Sequence, residues 1–442
     1  MGFVEREIEL GKVYKFPKNL KKVYYQGKII IISVDTANWL VFDDENEWMI
    51  FDMLNNQKSI NEVYEATSLK SNQMVETFIK VVTQIEAKCF ENKNISRDDS
   101  VNMFVYLTNS CNLRCPHCYV YAGEKDEKEL NLDEWKKIIG DFKKRGGDNI
   151  TFSGGEVTMR EDLIDILKFT KELNIKTTVL TNGTIWSEEL IIKASKYIDE
   201  IQISIDGYDE KSNAKIRGKG NFQKAIDTVD RFYELGVKLS IAVTPLYEDI
   251  DNFIIRFEDF AKSMIKKYND NIYMKLNLEL IKGRDVDLTE EENEIYKNKL
   301  KELTEKIYPN YYINNFILNH SDNYIIDNCG YGEITIAANG DVYCCNRIYE
   351  IDPVGNILEI GIEKAFEKLK EIKKKTSVDN LLPCKNCELK YICGGGCRIK
   401  YCSPFKKEQF CNKQGYRRDC TEEYKNSFYK NMIESNEFMY SY

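Results

Sequence analysis

Proline is scarce, with seven residues in 442, and no low-complexity tract interrupts the chain. Together with 43% hydrophobic and 31% charged residues, this excludes a disordered protein. Long apolar runs are missing too. The longest, such as residues 29–34, reach strand length and fall far short of the ~20 residues that cross a bilayer, so no membrane partner is expected. The opening MGFVEREIELGKVYKF mixes charge with apolar residues and lacks the apolar core of a signal peptide, which makes a cytoplasmic location the expectation. Positive charge is nowhere concentrated. Lys and Arg number 63 against 72 Asp and Glu, for a net charge of -9, and clusters such as residues 373–375 read as solvated helix faces, so no nucleic-acid partner is expected. Cysteine, by contrast, is abundant. Fourteen cysteines without an export signal point away from disulfides and toward metal or redox chemistry in a reducing compartment. Cys89 stands alone, three lie together after residue 110, and ten follow residue 328.

At this length two or three domains are expected. Residues 1–95 predict a small winged-helix-like unit: strands over 28–34 and 38–42 form a hairpin, followed by helices over 47–54, from Ser59, and from Ser71, the last with Val75, Phe78, Ile79, Val82 and Ile85 on one face. The polar tract 92–102 suits a linker. From residue 103 strands alternate with helices. Strands are predicted at 103–108, 149–153, 176–181, 200–205, 237–243 and 273–280, and capping-box starts at Asn131 with Glu134 and at Thr289 with Glu292 open two of the helices. Six such repeats predict an α/β fold, a partial (β/α)6 barrel over 96–310 with its site at the carboxyl ends of parallel strands. A cysteine-rich domain over 311–442, stabilised by bound metal and ended by a helix carrying Tyr424, Phe428 and Met432, completes the expected organisation.

Directly after the first barrel strand, CNLRCPHCY places Cys111, Cys115 and Cys118 on one loop. Thiolates are the ligands of iron-sulfur clusters, and three of them leave one iron of a four-iron cluster open. A zinc site would ask for a fourth close ligand, and His117 between two cysteines would strain the loop. This loop matches the motif of the radical S-adenosylmethionine (SAM) superfamily, and the chain resembles that group along the barrel: Gly154, Gly155 and Glu156 follow the second strand, Thr181, Asn182 and Gly183 the third, Ser204, Asp206 and Gly207 the fourth. The resemblance implies a 4Fe-4S cluster on the three cysteines that cleaves S-adenosylmethionine reductively. It further implies that Glu156 and its glycines receive the methionine amino group, that Ser204, Asp206 and Arg217 face the ribose and carboxylate, that His117 helps position the adenine, and that Asn182 belongs to the same binding site. Read alone, the Gly-Gly and Asp206-Gly207 pairs are tight turns and Arg217 a surface ion pair.

Cys384, Cys387, Cys393 and Cys397, with Cys329, Gly340 and Cys345 upstream, resemble the SPASM extension of peptide-modifying radical enzymes; without the family, 384–397 reads as a zinc knuckle. The resemblance implies two auxiliary 4Fe-4S clusters, three clusters in all. The outer one takes Cys384, Cys387, Cys393 and either Cys411 or Cys420; the inner one takes Cys329, Cys345 and Cys397, with Cys344 and Cys402 as possible substitutes for a missing fourth ligand. The first 95 residues resemble a recognition element that binds leader peptides of ribosomally made natural products by adding them to a strand edge. The implied function is a peptide maturase that installs a cross-link in a precursor peptide, a Cys thioether first, with an electron donor such as flavodoxin or ferredoxin as second partner. Carbon-carbon cross-linking or formylglycine-type oxidation are the enzymatic alternatives, and a metal-stabilised interaction module is the non-enzymatic one.

Overall fold

The computed structural model describes residues 9–97, 100–125, 128–403, 415–418 and 420–440. Three antiparallel strands come first, β1 (Leu20–Tyr25), β2 (Lys28–Ser33) and β3 (Asn38–Phe42), with β2 in the middle. The four isoleucines of β2 alternate across the pleat. Ile29 and Ile31 enter a core with α1 (Glu45–Asn55), α2 (Ile60–Ser68) and α3 (Asn72–Ala87), whereas Ile30 and Ile32 enter a second core shared with the carboxyl end of the chain. This two-sided burial explains the unbroken apolar run. Ser59 and Ser71 cap α2 and α3 as expected. The hairpin, however, is part of a three-stranded sheet, because β1, LKKVYY, has no regular apolar alternation to announce it. On α3 the buried face is Met74, Phe78, Val81, Val82 and Ile85; Ile79 turns about 100° from Phe78 and is 55% exposed.

The barrel strands β4 (Asn102–Tyr106), β5 (Asn149–Ser153), β6 (Lys176–Thr181), β7 (Glu200–Ser204), β8 (Lys238–Val243) and β9 (Ile272–Leu276) lie side by side in chain order, all parallel. Helices α4 (Leu132–Lys144), α5 (Leu163–Glu172), α6 (Glu188–Ala194), α7 (Glu210–Arg217) with α8 (Phe222–Glu234), and α9 (Ile250–Lys267) return the chain between strands, and α10 (Glu290–Ile307) follows β9. Both expected capping boxes are formed. Val105, Ile150, Phe152, Ile201 and Ile203 are fully buried in the core shared with the helices, while their neighbours Phe104, Thr151 and Gln202 line a cavity on the opposite face of the sheet.

After α11 (Tyr311–Asn319) the chain adds β10 (Ile334–Ile336) in parallel to the edge of β4, then β11 (Asp341–Tyr343) and β12 (Gly355–Asn356) antiparallel, so one sheet has nine strands. These added strands have only two or three residues each, too few to show a period in the sequence. The remainder is α12 (Ile357–Thr376), α13 (Lys390–Cys393), α14 (Arg398–Tyr401), β13 (Cys402–Ser403), β14 (Tyr416–Arg417) and α15 (Glu422–Tyr440). Met432 and Tyr429 of α15 are buried in the same core as Trp39 and Val41 of β3. Among the described residues no helix is long and apolar enough to cross a membrane.

Candidate active site

The cysteine loop leaves β4 and is held from three sides. Its own ends close through Cys111 N–H to Gly123 C=O and Gly123 N–H to Asn109 C=O, each 2.9 Å. From the end of β5, Gly155 N–H donates to Thr108 C=O at 2.7 Å and Glu156 N–H to Ser110 C=O at 2.8 Å. A Cβ on Gly155 would stand 2.3 Å from Ser110 O, so only glycine permits this approach. The third clamp comes from beyond β9: Arg284 donates to Cys115 C=O at 3.2 Å and to Ala122 C=O at 2.5 Å, Asp285 N–H donates to Pro116 C=O, and Gly283 packs on the His117 backbone. Neither Arg284 nor Gly283 is signalled by the sequence, because the contact spans more than 160 residues.

Asn182, at the end of β6, donates to Asn112 Oδ1 at 2.9 Å and accepts from Thr184, which in turn takes Asn112 Nδ2 at 2.9 Å. This network, with Asn112 and Thr184 as further members, fixes the loop beside Cys111. Glu156 lies behind the cavity wall. One carboxylate oxygen accepts from Thr181 Oγ1 at 2.6 Å and Thr158 Oγ1 at 2.8 Å, the other from Asn182 N–H at 2.7 Å. It thereby braces β5 to β6 while Gly154 and Gly155 line the cavity. Burial pushes its carboxyl above the usual range, against the pull of these hydrogen bonds.

Asp206 is 1% exposed and organises the next sector. Its carboxylate takes Arg217 Nε at 2.6 Å and Thr244 N–H at 2.7 Å and stands 3.6 Å from His117 Nε2. Burial lowers the pKa of His117, with Asp206 opposing. The other ring nitrogen, His117 Nδ1, is buried with no hydrogen-bond partner among the described residues. Ser204 and Arg217 line the cavity with the three cysteines. The cavity measures about 780 Å³ and runs from the cysteine loop to Asn346 and Arg347, next to Cys345. Burial pushes the Cys111 thiol up to about 11 and raises that of Cys115. Among the described residues no three His, Cys, Asp or Glu side chains are gathered as ligands of a single metal ion.

In the cysteine-rich region Cys384, Cys387, Cys393 and Cys420 line one small pocket with Arg417 and Tyr424. Arg417 donates to Cys393 Sγ at 3.2 Å. Cys411 lies outside the described residues. Burial pushes the Cys345 thiol up to about 12, with Cys329, Cys344 and Cys397 adding to the rise. Cys344 and Cys402 are buried in the main core. The three glycines between Cys393 and Cys397 all have positive φ, and a Cβ on Gly394 would stand 2.4 Å from Ile326 Cγ2.

The family model described as the Radical SAM superfamily matches residues 105–259. Over 152 residues the chain is 35% identical to Fe-coproporphyrin III synthase of Methanosarcina barkeri, covering 34% of this chain and 38% of that protein. Over 309 residues it is 26% identical to mycofactocin maturase MftC of Mycolicibacterium smegmatis, covering 66% of this chain and 76% of that one. The solved structure of native anSMEcpe with bound AdoMet and the Kp18Cys peptide superposes with a TM-score of 0.57 at 17% identity, covering 76% of this chain and 99% of that chain. The α/β fold of parallel strands, the cysteine loop at the carboxyl end of the first of them and the match over residues 105–259 together identify a radical SAM domain within this chain.

Proposed function

We propose that the chain is a peptide maturase that cleaves S-adenosylmethionine reductively and installs a cross-link, a Cys thioether, in a ribosomally synthesised precursor peptide. The observation that carries this reading is the single cavity that joins the Cys111, Cys115 and Cys118 loop to the segment around Cys345. The family implies SAM and one 4Fe-4S cluster, and the local chemistry fits both: three thiols share one loop, Gly155 keeps the adjacent wall free of side chain, and His117 Nδ1 is a buried polar atom in need of a partner. A cluster held there would supply the electron for reductive cleavage of S-adenosylmethionine and with it the means to remove a hydrogen atom from a substrate.

In this reading Cys111, Cys115 and Cys118 hold that cluster, the Gly154–Gly155 backbone receives the methionine end, and Ser204 and Arg217 face the ribose and carboxylate. Asp206 keeps Arg217 and His117 oriented, and Asn182 holds the loop. Cys384, Cys387, Cys393 and Cys420 form an outer auxiliary set, Cys329, Cys345 and Cys397 an inner one with a fourth position left for a substrate thiol. Residues 1–95 act as the leader-binding domain, 96–310 as the barrel and 311–442 as the auxiliary-cluster domain. MftC, a maturase, and anSMEcpe, bound to a peptide, support peptide as the substrate class.

The test is reconstitution followed by reaction with S-adenosylmethionine, a reductant and candidate precursor peptides. Formation of 5′-deoxyadenosine is expected, and replacing Cys111, Cys115 and Cys118 together by Ala should abolish it and remove about four irons per chain. Unchanged deoxyadenosine in that variant refutes the assignment. Thiol alkylation of the product peptide separates the bonds, since a thioether consumes a free thiol and a carbon-carbon link does not.

A further inference from the structure

Most of the charge that lines the cavity of about 780 Å³ is already neutralised within the protein. Arg217 is paired with Asp206 at 2.6 Å, Arg347 with Glu279 at 3.2 Å and with Glu350, and Glu200 with Lys238 at 3.1 Å. Lys275 is the exception. Among the described residues no carboxylate and no hydrogen-bond acceptor is recorded for its ammonium. The ladder sets Lys275 of β9 level with Ala242 of β8, and Ala242 level with Ser204 of β7. All three line the cavity, and Ala242, with only a methyl group, leaves the space over β8 open. Gln202, two residues before Ser204 and so on the same face of β7, lines the cavity as well; among the described residues no hydrogen bond is recorded for its amide. Strands β7 and β9 lie two spacings apart, about 9.6 Å, so two long side chains reaching from either side can meet on one group seated over Ala242.

A peptide that fills the cavity takes Lys275 out of water, and an ammonium covered without a counter-charge is strongly unfavourable. Whatever covers it must bring a negative group. We propose that Lys275 and Gln202 form a carboxylate subsite that selects the substrate peptide by an acidic group, the ammonium meeting one oxygen and the amide N–H the other. The proposal rests on the reading that the chain acts on a peptide and adds the group by which that peptide is held. The acid is a Glu or Asp side chain or the peptide's own carboxyl end, since both present the same two oxygens. A neutral residue in that place leaves Lys275 unpaired, and a basic one is repelled. Seated over Ala242, the carboxylate lies one strand from Ser204, read above as facing the ribose, so the subsite that selects the peptide also fixes which of its carbons is within reach.

The experiment treats the reconstituted full chain, with and without S-adenosylmethionine and without reductant, with a water-soluble carbodiimide, which joins a carboxylate to an adjacent amine, and locates the new amides by mass spectrometry of the digest. Two probes carry one carboxylate each: acetyl-Ala-Ala-Glu-Ala-Ala-amide, and acetyl-Ala-Ala-Ala-Ala-Ala with a free carboxyl end. At least one should join Lys275 at about ten times its yield at Lys137, an exposed lysine of α4, and the one that does identifies the source of the acid. Gln202→Leu should lower that yield about tenfold, the effect of losing a hydrogen bond to a charged group. Gln202→Glu supplies Lys275 with a carboxylate from its own chain and should replace the peptide amide by an intrachain one. Yields at Lys275 no higher than at Lys137 with both probes, coupling indifferent to Gln202→Leu, or coupling lost when S-adenosylmethionine is added, which gives Lys275 to the cofactor's carboxylate, each overturns the proposal. Deoxyadenosine formation by the same preparation after reduction reads the functional proposal separately: cleavage without coupling at Lys275 overturns the carboxylate subsite alone.

Discussion

Arg398 is fully buried, and among the described residues no carboxylate is paired with it. Its guanidinium instead donates to the carbonyls of Thr376 at 2.6 Å, Gly394 at 3.0 Å, Gly396 at 2.5 Å and Asp327 at 3.4 Å, so one side chain gathers the turn between Cys393 and Cys397 and ties it to α12. Arg398→Met fills similar space and orphans these carbonyls. It should lower stability by roughly 2–4 kcal/mol, read from the denaturant midpoint at unchanged slope. Glu156 offers a sharper substitution. Every hydrogen bond recorded for its carboxylate is accepted, so Glu156→Gln must turn an N–H₂ toward Thr181, Thr158 or the Asn182 N–H. Stability should fall by about 1–3 kcal/mol, the cost of one unmet buried bond, read from the denaturant midpoint.

At the scale of elements, the site depends on three chain segments meeting backbone to backbone: the cysteine loop, the turn after β5, and residues 283–285 after β9. Gly155→Ala puts a methyl where Ser110 O stands and must push the loop away from β5. Weaker binding of S-adenosylmethionine and slower iron uptake are expected, with the melting temperature little changed, because α4, α5 and their core stay intact. Arg284→Ala loosens the same loop from the opposite side and should produce the same two readouts, whereas Arg231→Ala on exposed α8 should produce neither.

Across the whole molecule, the amino-terminal unit joins the rest through Trp39, packed on Phe316 and His320, and through Asn38 Nδ2 donating to Asn323 Oδ1 at 2.9 Å. Burial lowers two groups in this joint: His320 to about 4, and Lys88, whose Nζ lies 4.1 Å from the Trp39 ring centroid, to about 7. Both folded values lie below the unfolded ones, so the unfolded chain binds more protons between about pH 4 and 6.5 for His320 and between about pH 7 and 10.5 for Lys88. Stability should therefore rise with pH through both windows. A melting temperature followed from pH 5 to 9 tests this, and Lys88→Met should flatten the upper part of the curve.

The sequence alone determined what local chemistry determines. Cysteine spacing after a strand, glycine pairs at strand ends, serine caps at Ser59 and Ser71, and apolar periods long enough to show themselves were all legible, and with them the barrel and the family. Tertiary structure decided what depends on partners distant in the chain. The pairing of β10 with β4, the grip of Arg284 on the cysteine loop, the brace that Glu156 makes between β5 and β6, and the closure of the β3 edge by Gln84 each join residues at least 20 positions apart. Short strands carry no period, and a buried glutamine has no local signature. Which backbone groups remain free for a ligand is therefore settled only when the whole chain has folded and the competing intramolecular partners have taken theirs.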